Sequence, residues 1–223
     1  KVSIVDIDKK FIPQDGLNIR KNDNAHAKEY RLHYHKLKVV KEFCRVNKLN
    51  KYIYNPENTK IGIVTTGKSY LDTLQALEKL GINEDNAKTL GVRLLKIAMP
   101  WPLEPSIIEE FSKGLYQIIV IEEKRSLIEN QIKEILFNKR SSLNILGKLD
   151  NEGNVLFPSS GVLDPGMIAV KLGSLIYSRI QNDNLKESIN KIKDLIAEKR
   201  SVDSVKRTPY FCSGCPHNTS TLI

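Results

Sequence analysis

Lys60-Ile61-Gly62-Ile63-Val64-Thr65-Thr66-Gly67-Lys68-Ser69 is a short β-branched run that breaks at a Thr-Gly-Lys-Ser turn. A run of this kind reads as a buried strand, and Tyr70 to Leu80, closed by Gly81, as the helix it feeds. The same grammar repeats downstream. Val92 to Ala98 is a second strand, entering Met99-Pro100-Trp101-Pro102-Leu103-Glu104-Pro105, where three prolines exclude both helix and strand. Ser106 to Gly114 is a short helix, and Gln117 to Glu122 is the most apolar strand, as expected of a strand covered on both faces. Leu127 to Phe137 then carries Ile128, Ile132, Ile135 and Leu136 on one helical face, and Leu143 to Leu146 reads as a fourth strand. Regular strand–helix alternation implies β-α-β crossovers, so the expected fold is a three-layer α/β/α domain with a mainly parallel sheet.

The flanks read differently. Residues 1 to 24 contain Pro13, Gly16 and Asn22-Asp23-Asn24 and are expected to be an extended connector with turns, Lys1 to Lys10 being strand-like or extended. From Ala25 to Leu49, Leu32, Leu37, Val40, Phe43 and Val46 recur at steps of three to five, which predicts one long amphipathic helix. His26, His33 and His35 lie along it without i, i+4 spacing or a completing carboxylate or cysteine, so they read as a polar face rather than a zinc site. Beyond the sheet, residues 147 to 163 are Gly-, Asn- and Ser-rich, with a turn at Asn151-Glu152-Gly153-Asn154. Asp164-Pro165 opens a helix to about Ile180, with Asp as cap and Pro in the first helical position. A second helix spans about Leu185 to Arg200, and Val202 to Ile223 reads as a linker into a further domain. The expected division is a connector with a long helix (1–50), an α/β domain (51–200), and a linker with the start of another domain (201–223). With Lys1 at one end and Leu222-Ile223 at the other, the chain reads as an internal piece of a larger enzyme.

Composition narrows the functional classes. The 223 residues are 40% hydrophobic and 27% charged, as in an ordinary soluble globular protein. No apolar run reaches the roughly 18 residues of a membrane span, and the first residues lack the layout of a signal peptide. The net charge of +9 is dispersed among Glu and Asp along helices, with few aromatics among the lysines, which argues against nucleic acid. Cys44, Cys212 and Cys215 are too few for a disulfide framework; Cys44 sits in an apolar helical stretch and reads as a small buried hydrophobe.

Three segments have chemical potential. Gly62 to Ser69 formally fits the phosphate-loop pattern G-x-x-x-x-G-K-S, but Gly62 lies inside the strand, which leaves a loop too short to wrap a phosphate. Glu122-Glu123-Lys124-Arg125 follow the central strand at its carboxyl end. There they read as an acid–base pair, as a helix cap with ion pairs, or as contacts to a neighbouring domain. Trp101, between prolines, is a rigid interface anchor. Cys212-Ser213-Gly214-Cys215-Pro216-His217 is the strongest signal: two thiols at i, i+3 in a turn relieved by Gly214 suit one zinc ion or one cluster corner pair. Two ligands do not close a site, so the pair is either part of a larger ligand set or structural.

In order along the chain, Asp15-Gly16-Leu17-Asn18-Ile19-Arg20, Ile63 to Asp72, Met99-Pro100-Trp101-Pro102-Leu103-Glu104-Pro105, Glu122-Glu123-Lys124-Arg125 and Arg207 to Asn218 resemble the middle of bacterial single-chain indolepyruvate ferredoxin oxidoreductases. That family belongs with the thiamine-diphosphate-dependent 2-oxoacid:ferredoxin oxidoreductases. The resemblance implies a transketolase C-terminal-like fold for residues 51–200, and the opening of a thiamine-diphosphate-binding domain from about 207. It implies oxidative decarboxylation of an arylpyruvate-like 2-oxoacid in the cytoplasm, with the acyl group passing to coenzyme A and electrons to ferredoxin. The cofactors implied are thiamine diphosphate, Mg²⁺ and a 4Fe–4S cluster. Cys212 and Cys215 would be cluster ligands, and Gly214 and His217 would lie at the thiamine diphosphate or substrate. The central domain would pack and position its neighbours in a homo-oligomer, with no catalytic residue of its own and no activity alone. A stand-alone α/β interaction module and a phosphate-loop nucleotide protein are the competing readings.

Overall fold

The computed structural model describes residues 2–3, 7–8, 11–140, 142–201 and 211–221. Most of the Lys1 to Lys10 segment and most of the linker read from Val202 onward lie outside the described residues, as do Arg207 to Tyr210 of the family resemblance.

Asn24 caps helix α1 (Ala25–Arg31) by accepting from the Ala27 N–H at 2.8 Å. A π-helical segment, Leu32–Lys36, connects α1 to α2 (Leu37–Val46), where the sequence predicted one uninterrupted α-helix. The wide turn falls where two apolar residues stand five apart, and the Leu37 N–H donates to the Leu32 carbonyl. Arg31, 7% exposed, grips Asp15 with two parallel bonds of 3.0 and 2.8 Å, tying the preceding connector to the helix.

The sheet contains β1 (Lys51–Tyr54), β2 (Ile61–Thr66), β3 (Val92–Ile97), β4 (Gln117–Ile121) and β5 (Asn144–Leu146) in the order β1-β3-β2-β4-β5. The four later strands pair in parallel, and β1 is an antiparallel edge that the sequence pattern did not predict. Four half-exposed residues with a register break carry too little periodicity to read.

Side chains of each buried strand alternate between two cores. Ile61, Ile63, Leu94, Ile119 and Ile121 face α3 (Gly67–Lys79), α7 (Pro165–Ile180) and α8 (Asp183–Ser201). Val64, Leu95, Ile97, Ile118 and Val120 face α5 (Pro105–Phe111) and α6 (Ile128–Leu136). Chain direction explains this split. The β2-to-β3 step moves one way across the sheet, and the steps to β4 and β5 move the other, so right-handed crossovers place α3 opposite α5 and α6. The three-layer, mainly parallel α/β/α architecture is therefore as expected.

Local stop and start signals behave as their chemistry dictates. Helix α3 ends in a Schellman motif, with Ile82 N–H on the Leu77 carbonyl and Gly81 N–H on that of Glu78, Gly81 taking φ +71°. Asp164 caps α7 through the Gly166 and Met167 N–H groups. Two short helices were not predicted: α4 (Glu84–Ala87), held by a reciprocal Asn83/Asn86 capping box, and α9 (His217–Ser220).

Gly62 sits mid-strand in β2, not in a loop. A Cβ there would lie 2.5 Å from Leu115 Cδ1 and 2.6 Å from Phe111 Cε1, so the absent side chain is space that the second core occupies. Gly62→Ala is expected to destabilise the fold by about 1–3 kcal/mol in chemical denaturation, through overpacking. Asp15 gives an independent check of the connector. Its hydrogen bond to Arg31 holds its carboxyl well below the ordinary 3.8. The stabilisation is then complete above that value and fades as pH falls toward the folded one. A carboxyl ¹³C titration should place the Asp15 midpoint far below 3.8, and an ordinary midpoint would show that the clamp does not form.

Candidate functional site

Strands β2 and β4 lie side by side, but the chain leaves them in opposite directions, so their carboxyl ends open onto a crevice. The crevice has a volume of about 1010 Å³. The β2–α3 junction contributes Thr66 to Ser69, the β4–α6 junction contributes Glu122 to Ile128, and Lys148 enters from the loop after β5. The topology thus brings two of the sequence-selected segments together.

Glu122, 4% exposed, accepts the N–H groups of Leu127 (3.1 Å), Ile128 (2.9 Å) and Glu129 (3.0 Å). A carboxylate with both oxygens committed to a helix N-terminus is a cap, not a proton carrier. Of the alternatives open in the sequence, the cap is the one built. The ion pairs differ from those expected: Glu123 lies 3.6 Å from Lys68 and accepts from the Leu163 N–H, while Lys124 donates to the Gly161 carbonyl. Lys68 turns back along α3 to Asp72 at 2.5 Å, and this bond raises its pKa above the ordinary lysine value. With Gly62 inside the strand and Gly67 opening the helix directly, no loop is left to wrap a nucleotide phosphate.

Sequence reasoning missed Lys148, which is only 9% exposed. Its ammonium donates to the Glu122 carbonyl and its N–H to Glu129 Oε2 at 2.9 Å, joining β5 to the cap of α6. Burial lowers its pKa, and the neighbouring Glu122, Glu129 and Glu123 charges partly offset that. A lone lysine in a polar loop gives no sequence signal of burial.

Cys212, Gly214, Cys215 and His217 form a separate feature. The Cys215 N–H closes a turn on the Cys212 carbonyl at 3.0 Å, and the Asn218 N–H closes the next on that of Cys215 at 3.0 Å. Gly214 takes φ +78°, in the left-handed region that a side chain disfavours. Cys212 is exposed and Cys215 half-buried, both as free thiols. His217 begins α9 with its ring 5.4 Å from that of Phe211. Among the described residues no group of three His, Cys, Asp or Glu is placed to hold a metal, so the turn offers two thiols and no third ligand.

Elsewhere, Cys44 is 1% exposed, and burial raises its thiol pKa, consistent with a packing role. His35 Nδ1 lies 3.0 Å from the Phe11 carbonyl on the polar helix face. Trp101, 55% exposed before a cis Pro102, projects from a segment anchored to α6 by Gln131, which bonds Pro100 and Leu103. No helix among the described residues is long and apolar enough to cross a membrane.

The fold defines the chain's class as an open, mainly parallel α/β domain, followed by a Cys-x-x-Cys turn. The chain belongs to the indolepyruvate oxidoreductase domain family, whose model matches residues 51–199. Its relatives include the indolepyruvate oxidoreductase subunit IorA of Pyrococcus abyssi, 29% identical over 169 residues, covering 76% of this chain and 23% of that protein. The same-named subunit of Thermococcus kodakarensis is 26% identical over 197 residues, covering 88% and 27%. The chain thus spans about a quarter of the length of these relatives. Among solved structures, a split-gene transketolase (inactive β4 tetramer) is 14% identical with a TM-score of 0.40, over 59% of this chain and 41% of that one. A 2-oxoglutarate:ferredoxin oxidoreductase from Magnetococcus marinus is 17% identical with a TM-score of 0.44, over 70% and 24%.

Removing the Glu122 carboxylate should register as lost stability. Glu122→Ala is expected to cost about 1–3 kcal/mol in denaturant titration, because three N–H groups lose their acceptor. An unchanged midpoint would refute the capping role.

Proposed function

We propose that the chain is an internal domain of a thiamine-diphosphate-dependent indolepyruvate ferredoxin oxidoreductase, a cytoplasmic enzyme that oxidatively decarboxylates an arylpyruvate-type 2-oxoacid. The observation that carries this reading is the family match over residues 51–199, followed in the same chain by the Cys212–Cys215 turn. The relatives' name supports indolepyruvate as the substrate type.

In this reading the α/β body is a spacer. Its crevice carboxylates are committed to a cap and an ion pair, so it binds and orients neighbouring domains rather than moving protons. When bound, thiamine diphosphate with Mg²⁺ supplies the decarboxylation chemistry, a 4Fe–4S cluster the electron transfer to ferredoxin, and coenzyme A the acyl acceptor. The turn fits part of such a cluster site: two free thiols at i, i+3 on a backbone loop that Gly214 permits, with Cys212 open to solvent. Cys212 and Cys215 would hold two corners of the cluster, and further protein ligands would complete it. Gly214 and His217, whose ring lies 5.4 Å from that of Phe211, would lie at the thiamine diphosphate or the substrate.

Cys212→Ser together with Cys215→Ser in the full-length enzyme should abolish bound iron and sulfide. The unfolding midpoint of the α/β body should stay within about 0.5 kcal/mol, as for surface substitutions. Retention of the full iron content would overturn the ligand assignment. The 223-residue chain alone should show no oxoacid-dependent reduction of ferredoxin, and measured turnover would contradict the spacer role.

A further inference from the structure

A groove of about 920 Å³ follows α7 between α3 and α8. Its floor is apolar: Met167, Val170 and Ile196 are half-buried in it, and Leu195 is 55% exposed. Lys79, Lys171 and Lys193, one from each helix, stand exposed on its rim. Packing at two glycines fixes where they lie. A Cβ on Gly166 would meet Ile196 Cδ1 at 3.2 Å, and one on Gly173 would meet Ile189 Cγ1 at 2.9 Å and Leu80 Cδ2 at 2.8 Å. Helices α7 and α8 therefore run antiparallel, which sets Lys193 level with Val170 and Lys171, and Lys79 beside them from α3. The three ammoniums thus share one end of the groove. Asp164, the only carboxylate among the lining residues, stands about 10 Å away at the other end, two helical turns before Lys171, with Oδ1 on the Gly166 and Met167 N–H groups. The lysine ion pairs among the described residues are those of Lys68, Lys133, Lys139 and Lys191, so the three rim lysines have none. Asp150, on which Lys171 acts through space, is held by the Glu152 and Asn154 N–H groups instead.

We infer that this groove seats an amphipathic helix of the domain that follows the Cys212–Cys215 turn. The helix lays its apolar side on Met167, Val170, Leu195 and Ile196 and turns carboxylates at one end toward the three lysines. The inference rests on the proposed function, in which the chain passes into that domain. Charge selects the occupant: an apolar groove between helices takes a further amphipathic helix, and unpaired ammoniums gathered at one end call for acids there. A second copy of this chain would bring like charge, because the net is +9. Length selects the source. The chain spans about a quarter of the length of its relatives, so most of what packs against it comes from outside it. Helix α8 ends at Ser201, at the Asp164 end of the groove, and residues 202–210 separate it from Phe211. That tether reaches at most ~36 Å, which holds the following domain at high effective concentration beside the groove.

Zero-length carbodiimide coupling of the whole enzyme, prepared as a mixture of ¹⁴N and ¹⁵N copies and mapped by mass spectrometry, tests the inference. Amide links are expected from Lys79, Lys171 or Lys193 to Asp or Glu residues that follow residue 223, within a single isotope label. Lys193→Glu reverses an exposed charge that has no folded-state partner, so the variant should fold. Links from Lys79 and Lys171 should then fall about fivefold, as like charge facing the carboxylates implies. The link between Lys139 and Glu109, a 2.5 Å pair away from the groove, should stay unchanged. The inference is overturned by the absence of links from all three lysines, or by undiminished links in Lys193→Glu. Links only to Asp203, only to residues preceding Lys1, or only to a differently labelled copy would also overturn it, by assigning the groove to another occupant. Iron and sulfide content reads the cluster assignment separately. Missing links with full iron would sink the groove alone, and missing iron with links intact would sink the ligand assignment alone.

Discussion

The Glu122 carboxylate, buried and shared among three backbone N–H groups, is the contact on which the arrangement of this domain turns. It fastens the end of the most buried strand to the start of α6. Lys148 donates to the Glu122 carbonyl on the same side, so the loop leaving β5 is locked to the same point. Glu129 then takes the Lys148 N–H and the Lys133 ammonium, at 2.9 and 2.6 Å. A buried charge network of this kind is costly unless every member is satisfied. Here satisfaction removes the carboxylates from the pool of groups that could act on a substrate.

That constraint shifts chemistry away from the carboxyl ends of the strands, the usual place for it in open α/β sheets. Gly62 reinforces the shift from the other end of β2. Its missing side chain admits Leu115 and Phe111 into the core, which requires the glycine to be inside the strand and leaves none for a phosphate-wrapping loop. The fold therefore keeps an α/β crevice but fills its reactive positions with structural bonds. What remains is a rigid body between a helical arm and a cysteine-bearing turn.

The central strands were legible because full burial on two faces selects uninterrupted Ile and Val, as in Gln117–Ile121. Helix α7 was legible for a local reason, since Asp164 and Pro165 specify its start without help from distant residues. Legibility failed where partners lie far along the chain. An acid–base role for Glu122 stayed open beside the structural one because its cap depends on how the chain turns after Arg125, and Lys148 could be placed only by β5 pairing with β4. β1 was missed because an edge strand of four half-exposed residues has no buried face to imprint. The π segment shows the converse: the five-residue step from Leu32 to Leu37 was visible, but its meaning depended on backbone geometry. For the site, residue type and spacing identified the Cys212–Cys215 turn, and the structure adds that it is closed, Gly-relieved and open to solvent.

In the proposed function the α/β body positions its neighbours and the Cys212–Cys215 turn would ligate a cluster. Iron-edge anomalous diffraction from crystals of the whole enzyme tests that division most directly. It predicts an iron peak within bonding distance of both Cys212 and Cys215 Sγ, and none against the α/β crevice. An iron site that engages neither sulfur would contradict it.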